Sequence, residues 1–458
     1  MLSRVFHTLS FHHRPLALLR QHTVEIVRAA LEAVSPVRLM RFALEERWVR
    51  DAVTDAPIAV IAAGKASEGM VRGLLEAPGV RIARGVAVGP GASTTGPGPF
   101  TWYAAGHPVP NAGSIAAGRA VLRCAAQTGP LERLLVLLSG GASALMAAPV
   151  AGLTLGEKIE ATRLLLSSGV PIHELNCVRK HLSNVKGGRV ALAAKGPILT
   201  LAISDVVSPL EDDPSVIGSG PTVPDRTTYA EALAVATGPT IVGRMPAAVV
   251  EVLERGCAGM LDETLKAGDA RAEATDYRVI GNRRQAMAGA LTAARGLGYA
   301  AASLDTPVTG EARVTGPRHV ERLLGLCHKL QHEHEGAACA VSSGETTVTL
   351  TGGGRGGRNQ EMALAAASLL KDHPGTVFAS VGTDGVDGPT DAAGAVVDTT
   401  TMARASGVGL AAPSRYLATN DSYRFFDPLG DLIKTGPSGT NVGDLQIVLT
   451  TGTEGHTL

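Results

Sequence analysis

The chain has 458 residues, with 42 Lys+Arg against 42 Asp+Glu and 45% apolar residues. Zero formal charge and a pI near 7.2 exclude the basic excess of a dedicated nucleic-acid or membrane-surface binder, and the apolar content excludes a disordered chain. At roughly 150 residues per domain the length predicts two or three domains, and 55 glycines beside 3% aromatics predict the tight turns of a layered α/β enzyme.

Residues 1–23 hold Arg4, Arg14, Arg20 and four histidines but no acid. A transit peptide has such a composition, yet little Ser and no clear apolar face make a disordered or over-extended N-terminus the expectation. Residues 25–45 read as one helix, with Ile26, Ala29, Ala30, Ala33 and Leu39 at helical spacing. A strand–loop–helix rhythm follows. The apolar runs 57–62, 134–138 and 197–203 stop at Ala63-Gly64-Lys65, Ser139-Gly140-Gly141 and Ser204-Asp205, and 66–75 reads as a helix. Such alternation predicts a parallel sheet covered on both faces. Residues 221–246 are rich in Pro, Thr and Gly, with one short helix over 229–237. A domain boundary near 240 is expected there. The rhythm resumes with strands at 277–280, 338–342 and 376–381, which stop at Gly281-Asn282, Ser343-Gly344-Glu345 and Gly382-Thr383-Asp384. No short repeat points to a solenoid, and no apolar run reaches the ~18 residues of a spanning helix. Five scattered cysteines without a C-x-x-C pair read as reduced thiols of a cytosolic protein.

In open α/β sheets ligands sit beyond the carboxyl ends of strands. Ser139-Gly140-Gly141-Ala142-Ser143 there could bring backbone N–H groups to an anion, or be an ordinary βα turn. The segment 351–361, Thr351-Gly352-Gly353-Gly354-Arg355-Gly356-Gly357-Arg358-Asn359-Gln360-Glu361, follows a strand-like stretch at 346–350 and precedes a helix over 362–370. It satisfies G-x-G-x-x-G, a weak match alone, and lacks the acid that would take a ribose. Two arginines inside the loop favour a phosphate. Lys65 could reach a phosphoryl group as a point charge or be a solvated loop lysine; no Walker A loop surrounds it. Asp205, Asp384 and Asp387 suit Mg²⁺, a general base, or turn and cap roles. Residues 176–188 look like a glycine-terminated helix whose Arg179, Ser183 and Lys186 form one basic face. His328, His332 and His334 read as an exposed helix end rather than a zinc site.

Together, Ala63-Gly64-Lys65-Ala66, Gly106-His107-Pro108-Val109-Pro110, Leu138-Ser139-Gly140-Gly141, Asn176-Cys177-Val178-Arg179-Lys180-His181-Leu182-Ser183, Ile203-Ser204-Asp205-Val206, Gly218-Ser219-Gly220-Pro221-Thr222, Gly357-Arg358-Asn359-Gln360-Glu361 and Gly439-Thr440-Asn441-Val442 appear in one order. In this the chain resembles the glycerate 2-kinase family, whose C-terminal part is the MOFRL domain, over roughly residues 24–449. Ala142 stands where many members have a third glycine, and Gly443 where Asn is frequent. The resemblance implies a Rossmann-like parallel-sheet N-terminal α/β domain over 24–240 and a smaller α/β domain with the MOFRL region over 241–458, with an interdomain cleft. It implies transfer of the ATP γ-phosphoryl group to the 2-hydroxyl of D-glycerate, with Mg²⁺, in the cytoplasm, on small molecules without nucleic-acid or membrane partners, and it leaves room for a homodimer. On that reading Lys65 and Arg358 stabilise the transferring phosphoryl, and Asp205 is catalytic. Ser139, Gly140, Gly141, Ser143, Gly352, Gly353, Gly354, Gly356, Gly357, Asn359 and Glu361 hold the nucleotide. Arg179, Lys186, Ser183 and Glu345 hold the substrate, and Asp205, Asp384 and Asp387 the metal. Members also carry the label hydroxypyruvate reductase, which keeps an NAD(P)H-dependent reductase as the alternative; a nucleotide-binding regulator without turnover is a third.

Overall fold

The computed structural model describes residues 16–91 and 95–452; most of the N-terminal segment, 1–15, lies outside the described residues. Contacts divide the chain into two units. Unit 2 comprises residues 35–282 with 439–441, and unit 1 comprises 1–34, 283–438 and 442–458. The stretch around residue 240, expected as a boundary, lies inside unit 2, because Tyr229–Ala236 and Ala247–Cys257 pack with the helices Leu155–Ser167 and Ile172–His181 around Leu165, Val178, Tyr229 and Leu253.

Unit 2 is built on six strands: β1 (Ile58–Ala63), β2 (Ile82–Pro90), β3 (Phe100–Ala105), β4 (Leu134–Leu138), β5 (Ile198–Ile203) and β6 (Thr275–Gly281). Their order is β3-β2-β1-β4-β5-β6 and every pair is parallel. β1, β4 and β5 are buried along their whole length. That is why their sequences are unbroken apolar runs: a strand with helices on both faces has no solvent side to mark with polar residues.

Unit 1 holds a second six-stranded sheet: β7 (Ala300–Glu311), β8 (Ala338–Thr347), β9 (Thr376–Gly382), β10 (Gly394–Asp398), β11 (Leu432–Ile433) and β12 (Asp444–Thr450), in the order β11-β10-β9-β12-β8-β7. The parallel rhythm expected of the second half holds only for β7 with β8; the other neighbours run antiparallel. One face packs on the helices Ala312–His334 and Arg358–Leu370, with Leu323, Met362, Phe378 and Val448 at the centre. The other packs on Leu16–Ala33 and Arg283–Gly296 through Leu19, Ile26, Met287 and Ile447.

Residues 16–23, expected to be disordered or surplus, form the start of that first helix. Leu19, Thr23, Ile26, Val27 and Ala30 are buried at helical spacing, and Arg20 is held between Asp398 and Asp431. The helix expected over 25–45 is two, Leu16–Ala33 and Pro36–Glu45. The break falls where Pro36 denies the chain a backbone donor and restricts Ser35 to extended conformation. All five cysteines are free thiols, and no helix among the described residues is long and apolar enough to cross a membrane.

Candidate active site

In unit 2 the strand order reverses between β1 and β4, and the turns leaving these two strands are locked together. The Lys65 N–H donates to the Gly140 carbonyl at 2.9 Å, and the Ala66 N–H to Ser139 Oγ at 2.9 Å. Gly141 has φ +86°, and a side chain there would meet the His107 ring at 2.9 Å. A side chain at Gly140 would overlap the Asp205 carboxylate, at 2.2 Å. Glycine therefore lets the residues following β3 and β5 close onto the β4 turn. Asp205 also accepts from Asn441 Nδ2 at 2.9 Å.

From the same turn the short helix Ala142–Leu145 presents Ser143. Its Oγ lies 2.9 Å from Ser219 Oγ and accepts from Lys186 Nζ at 2.7 Å and from the Arg179 guanidinium. Lys186 Nζ also donates to the Ser143 carbonyl at 2.6 Å. The single basic helix face expected for Arg179, Ser183 and Lys186 is corrected: the helix ends at His181, and the chain then turns into Gly187 and Gly188, both at positive φ. Ser183 is buried, with its hydroxyl accepting from the Val185 N–H. Arg179 and Lys186 nevertheless converge on Ser143 from a helix and a loop. Lys186 is only 2% exposed. No carboxylate among the described residues pairs with either cation; they bond to Asn176 and Ser143. Burial holds the Arg179 guanidinium below its ordinary value, and burial, Arg179 and Lys158 push the Lys186 ammonium well below its own. Buried cations without acids are costly, and an incoming anion is the group that offsets them.

Unit 1 carries the glycine-rich segment. The strand-like stretch expected before it ends sooner, since β8 stops at Thr347. The loop is then pinned by a distant pair. Asn420 Oδ1 accepts from the N–H of Thr351 at 2.7 Å and of Gly352 at 2.9 Å, while its Nδ2 donates to Thr349 O and Glu361 Oε1. Asp421 Oδ1 accepts from the Arg355 N–H at 2.8 Å, and Thr419 O from the Gly354 N–H at 3.0 Å. The Arg355 guanidinium lies over the Tyr423 ring, 4.1 Å from its centre. The N–H groups of Thr351, Gly352, Gly354 and Arg355 are thus spent inside the protein, those of Gly352 and Gly354 among the ones expected to hold a phosphate. Those of Gly353, Gly356 and Gly357 have no acceptor among the described residues.

Asp387 takes the N-terminus of Arg358–Leu370. Its Oδ1 accepts from the Asn359 N–H at 3.1 Å and its Oδ2 from the Gln360 N–H at 2.9 Å. Burial pushes this carboxyl up to about 6 despite those bonds, and both its oxygens cap the helix N-terminus. Asp384 accepts from the Val386 N–H in a turn. Arg358 is gripped by Asp444 through two bonds, 2.6 and 2.9 Å, and by Glu345 at 3.3 Å. Burial alone would lower its pKa, yet Asp444 and Glu345 raise it. Asn359 and Glu361 are buried and bonded to Asp444, Asp387 and Asn420. Among the described residues no three His, Cys, Asp or Glu side chains are grouped to hold a metal.

Residues 22–254 match the family described as a domain of unknown function, and residues 338–444 match the MOFRL family. A D-glycerate 2-kinase from Thermotoga maritima is 37% identical over 94% of this chain and 98% of its own length. The chain belongs to the glycerate 2-kinase family. A glycerate 2-kinase from Pyrococcus horikoshii, 38% identical, covers 77% of this chain and 78% of its own. The crystal structure of a glycerate kinase from Thermotoga maritima superposes with a TM-score of 0.82 at 36% identity, covering 95% of this chain and all of that one. A relative from Agrobacterium vitis, 36% identical over 85% of this chain, carries the hydroxypyruvate reductase name only provisionally. Two of the family motifs contain residues to which no role was assigned from sequence, His107 and Asn441. Asp444, Asn420, Asp421 and Lys158 carried no local signal, since what identifies them is contact with residues far along the chain.

Proposed function

We propose that the chain transfers the γ-phosphoryl group of ATP to the 2-hydroxyl of D-glycerate, giving 2-phospho-D-glycerate and ADP. The observation that carries this reading is the acid-free cluster of Arg179, Lys186 and Ser143 beside the β4 turn, whose charge suits a small carboxylate, in a chain whose curated relatives are glycerate kinases. Phosphoryl transfer is largely positioning and charge neutralisation. Lys65 and Arg358 would meet the transferring group, with Arg358 oriented by Asp444 and Glu345 while keeping donors on its terminal nitrogens. Gly140, Gly141 and Ser143, together with the N–H groups of Gly353, Gly356 and Gly357, would contact phosphate oxygens. Gly352, Gly354, Ser139, Asn359, Glu361 and Ser183 would support these contacts from behind, given their internal bonds.

Mg²⁺ normally takes one or two protein carboxylates and fills its remaining positions with water and phosphate oxygens. Asp205 fits that need, with one oxygen on Asn441, and Asp384 could assist. Asp387 does not fit, because both its oxygens are committed to the helix N-terminus. The ion would neutralise phosphate charge. Asp205 alternatively orients the substrate hydroxyl as its base.

The Rossmann-like reading belongs to the same proposal, supported by the all-parallel 3-2-1-4-5-6 order, as does the cleft whose closure would exclude water. Action on dissolved metabolites in the cytoplasm, alone or as a homodimer, completes it. Against the reductase alternative, β2 ends in Gly89-Pro90 without the acid that takes the adenosine ribose of a dinucleotide.

The test is purified protein with D-glycerate, ATP and Mg²⁺, assayed for ADP and by ³¹P NMR, beside NADH with hydroxypyruvate. ADP with a 2-phosphate resonance is expected. NADH oxidation without ADP, or a 3-phosphate product, would overturn the reading.

A further inference from the structure

Lys158 lies one turn into the helix Leu155–Ser167, which a Thr154–Glu157 capping box starts. It is 5% exposed, and its Nζ donates to the Leu182 carbonyl at 2.8 Å. Leu182 is the cap residue of the helix Ile172–His181 and opens the turn that separates Arg179 from Lys186. The same turn is tied down at Asn184, whose N–H donates to Ala148 O at 2.7 Å and whose Nδ2 donates to Pro149 O at 3.0 Å. A neutral donor would serve the Leu182 carbonyl without the cost of burying an ammonium beside two other cations. The charged residue makes sense if an anion completes the group. Resting on the reading of Arg179 and Lys186 as the carboxylate grip, we propose that Lys158 is a positioning residue for the acid substrate. It pins the turn that sets Arg179 and Lys186, and it adds the third positive charge of a cluster that takes a carboxylate.

The charges acting on Lys158 and Lys186 support this. Burial and Arg179 bring the Lys158 ammonium down to about 7, and burial, Arg179 and Lys158 lower the Lys186 ammonium as well. No carboxylate among the described residues pairs with Lys158, including those of Ala247–Cys257, the other helix packed against its own. Lys158 therefore sheds its proton near neutrality, and a carboxylate bound beside it favours the charged form. Substrate binding takes up a proton, so KM for glycerate rises as pH climbs above about 7.

The experiment measures kcat and KM for both substrates of the full chain, from pH 6 to 9, for wild type, Lys158→Met, Lys158→Gln, Lys158→Arg and Arg179→Ala. Removing the charge should raise KM for glycerate about tenfold or more, leave KM for ATP within about twofold, and flatten the pH dependence. Lys158→Arg should bring KM back to within about threefold of wild type while keeping the profile flat, because a guanidinium stays charged. If Lys158→Met does not fold, Lys158→Gln, which keeps a donor for Leu182, is held to the same criteria. Equal effects on both KM values, or a glycerate KM within about twofold of wild type, would overturn the inference. Arg179→Ala separates the two failures. If it raises the glycerate KM while the Lys158 variants do not, only Lys158 loses its role; if it too leaves that KM unchanged, the carboxylate grip itself is wrong.

Discussion

Asp387 and His319 show how burial sets the work of a titratable group. Asp387→Ala leaves the Asn359 and Gln360 N–H groups without their acceptor, and it should cost about 1–3 kcal/mol in urea unfolding. The Mg²⁺ concentration for half-maximal activity should stay the same; a shifted Mg²⁺ requirement at unchanged stability would restore the ligand reading. His319 is buried against Ser342, at 2.7 Å. Burial, helped by Arg322, lowers its pKa to about 4. Its unfolded value is near 6.5, so the folded state gains stability above that pH and loses it as pH falls toward 4. Between pH 7 and 4.5 the wild type should lose about 2–3 kcal/mol that His319→Gln does not. Urea midpoints at both pH values, compared between the two proteins, check this.

Arg358 sits at the start of a helix, where a cation is unfavourable by itself; Asp444 and Glu345 supply the compensation. Arg358→Lys cannot reproduce the paired bonds to Asp444. It should lower kcat by about a hundredfold or more with smaller changes in KM. A variant of near-normal kcat would remove Arg358 from the transfer step.

At the scale of elements, the first helix and the glycine loop both depend on partners far along the chain. Leu19 is fully buried, and Leu19→Ala should cost about 2–5 kcal/mol in chemical unfolding; a change below about 0.5 kcal/mol would mean residues 16–23 add nothing. The sequence reading stopped short of those turns because arginines and histidines interrupt them, and nothing local reveals that Asp398 and Asp431 wait for Arg20. Likewise the 351–357 glycines look like a phosphate cradle until the partners of their N–H groups are known, and those partners stand some 66–69 residues away. β1, β4 and β5 were legible because a doubly covered strand writes its burial as an unbroken apolar run. β12 was not, since its polar Gln446 sits among Leu445, Ile447 and Leu449 and its neighbours β8 and β9 come from distant parts of the chain. At the site, the turns after β1, β4 and β5 are legible as strand ends, whereas Arg179 and Lys186 meet at Ser143 from a helix and a loop rather than from one helix face. Lys158 and Asn420 are not legible, for their meaning lies only in what they touch.

At the scale of the whole molecule, each unit has its own sheet and its own apolar cores. Chemical unfolding should therefore depart from a single two-state transition when followed by different probes. Leu19→Ala should shift the transition that reports on Trp-free unit 1, read by hydrogen exchange at β9 and β12, and leave exchange at β1 and β4 unchanged; a uniform shift across both sheets would mean the units unfold together.

The helix Leu16–Ala33 belongs to the unit completed by residues 283 and beyond. During translation it leaves the ribosome first, yet the helix Arg283–Gly296 that covers it arrives roughly 250 residues later, on the order of 12–50 s at ordinary elongation speeds. Residues 35–282 can meanwhile collapse, lacking only the 439–441 segment of their unit. The newborn chain thus carries a greasy, unmated helix until residues 283–296 emerge, an opening for chaperones or proteases that those residues close.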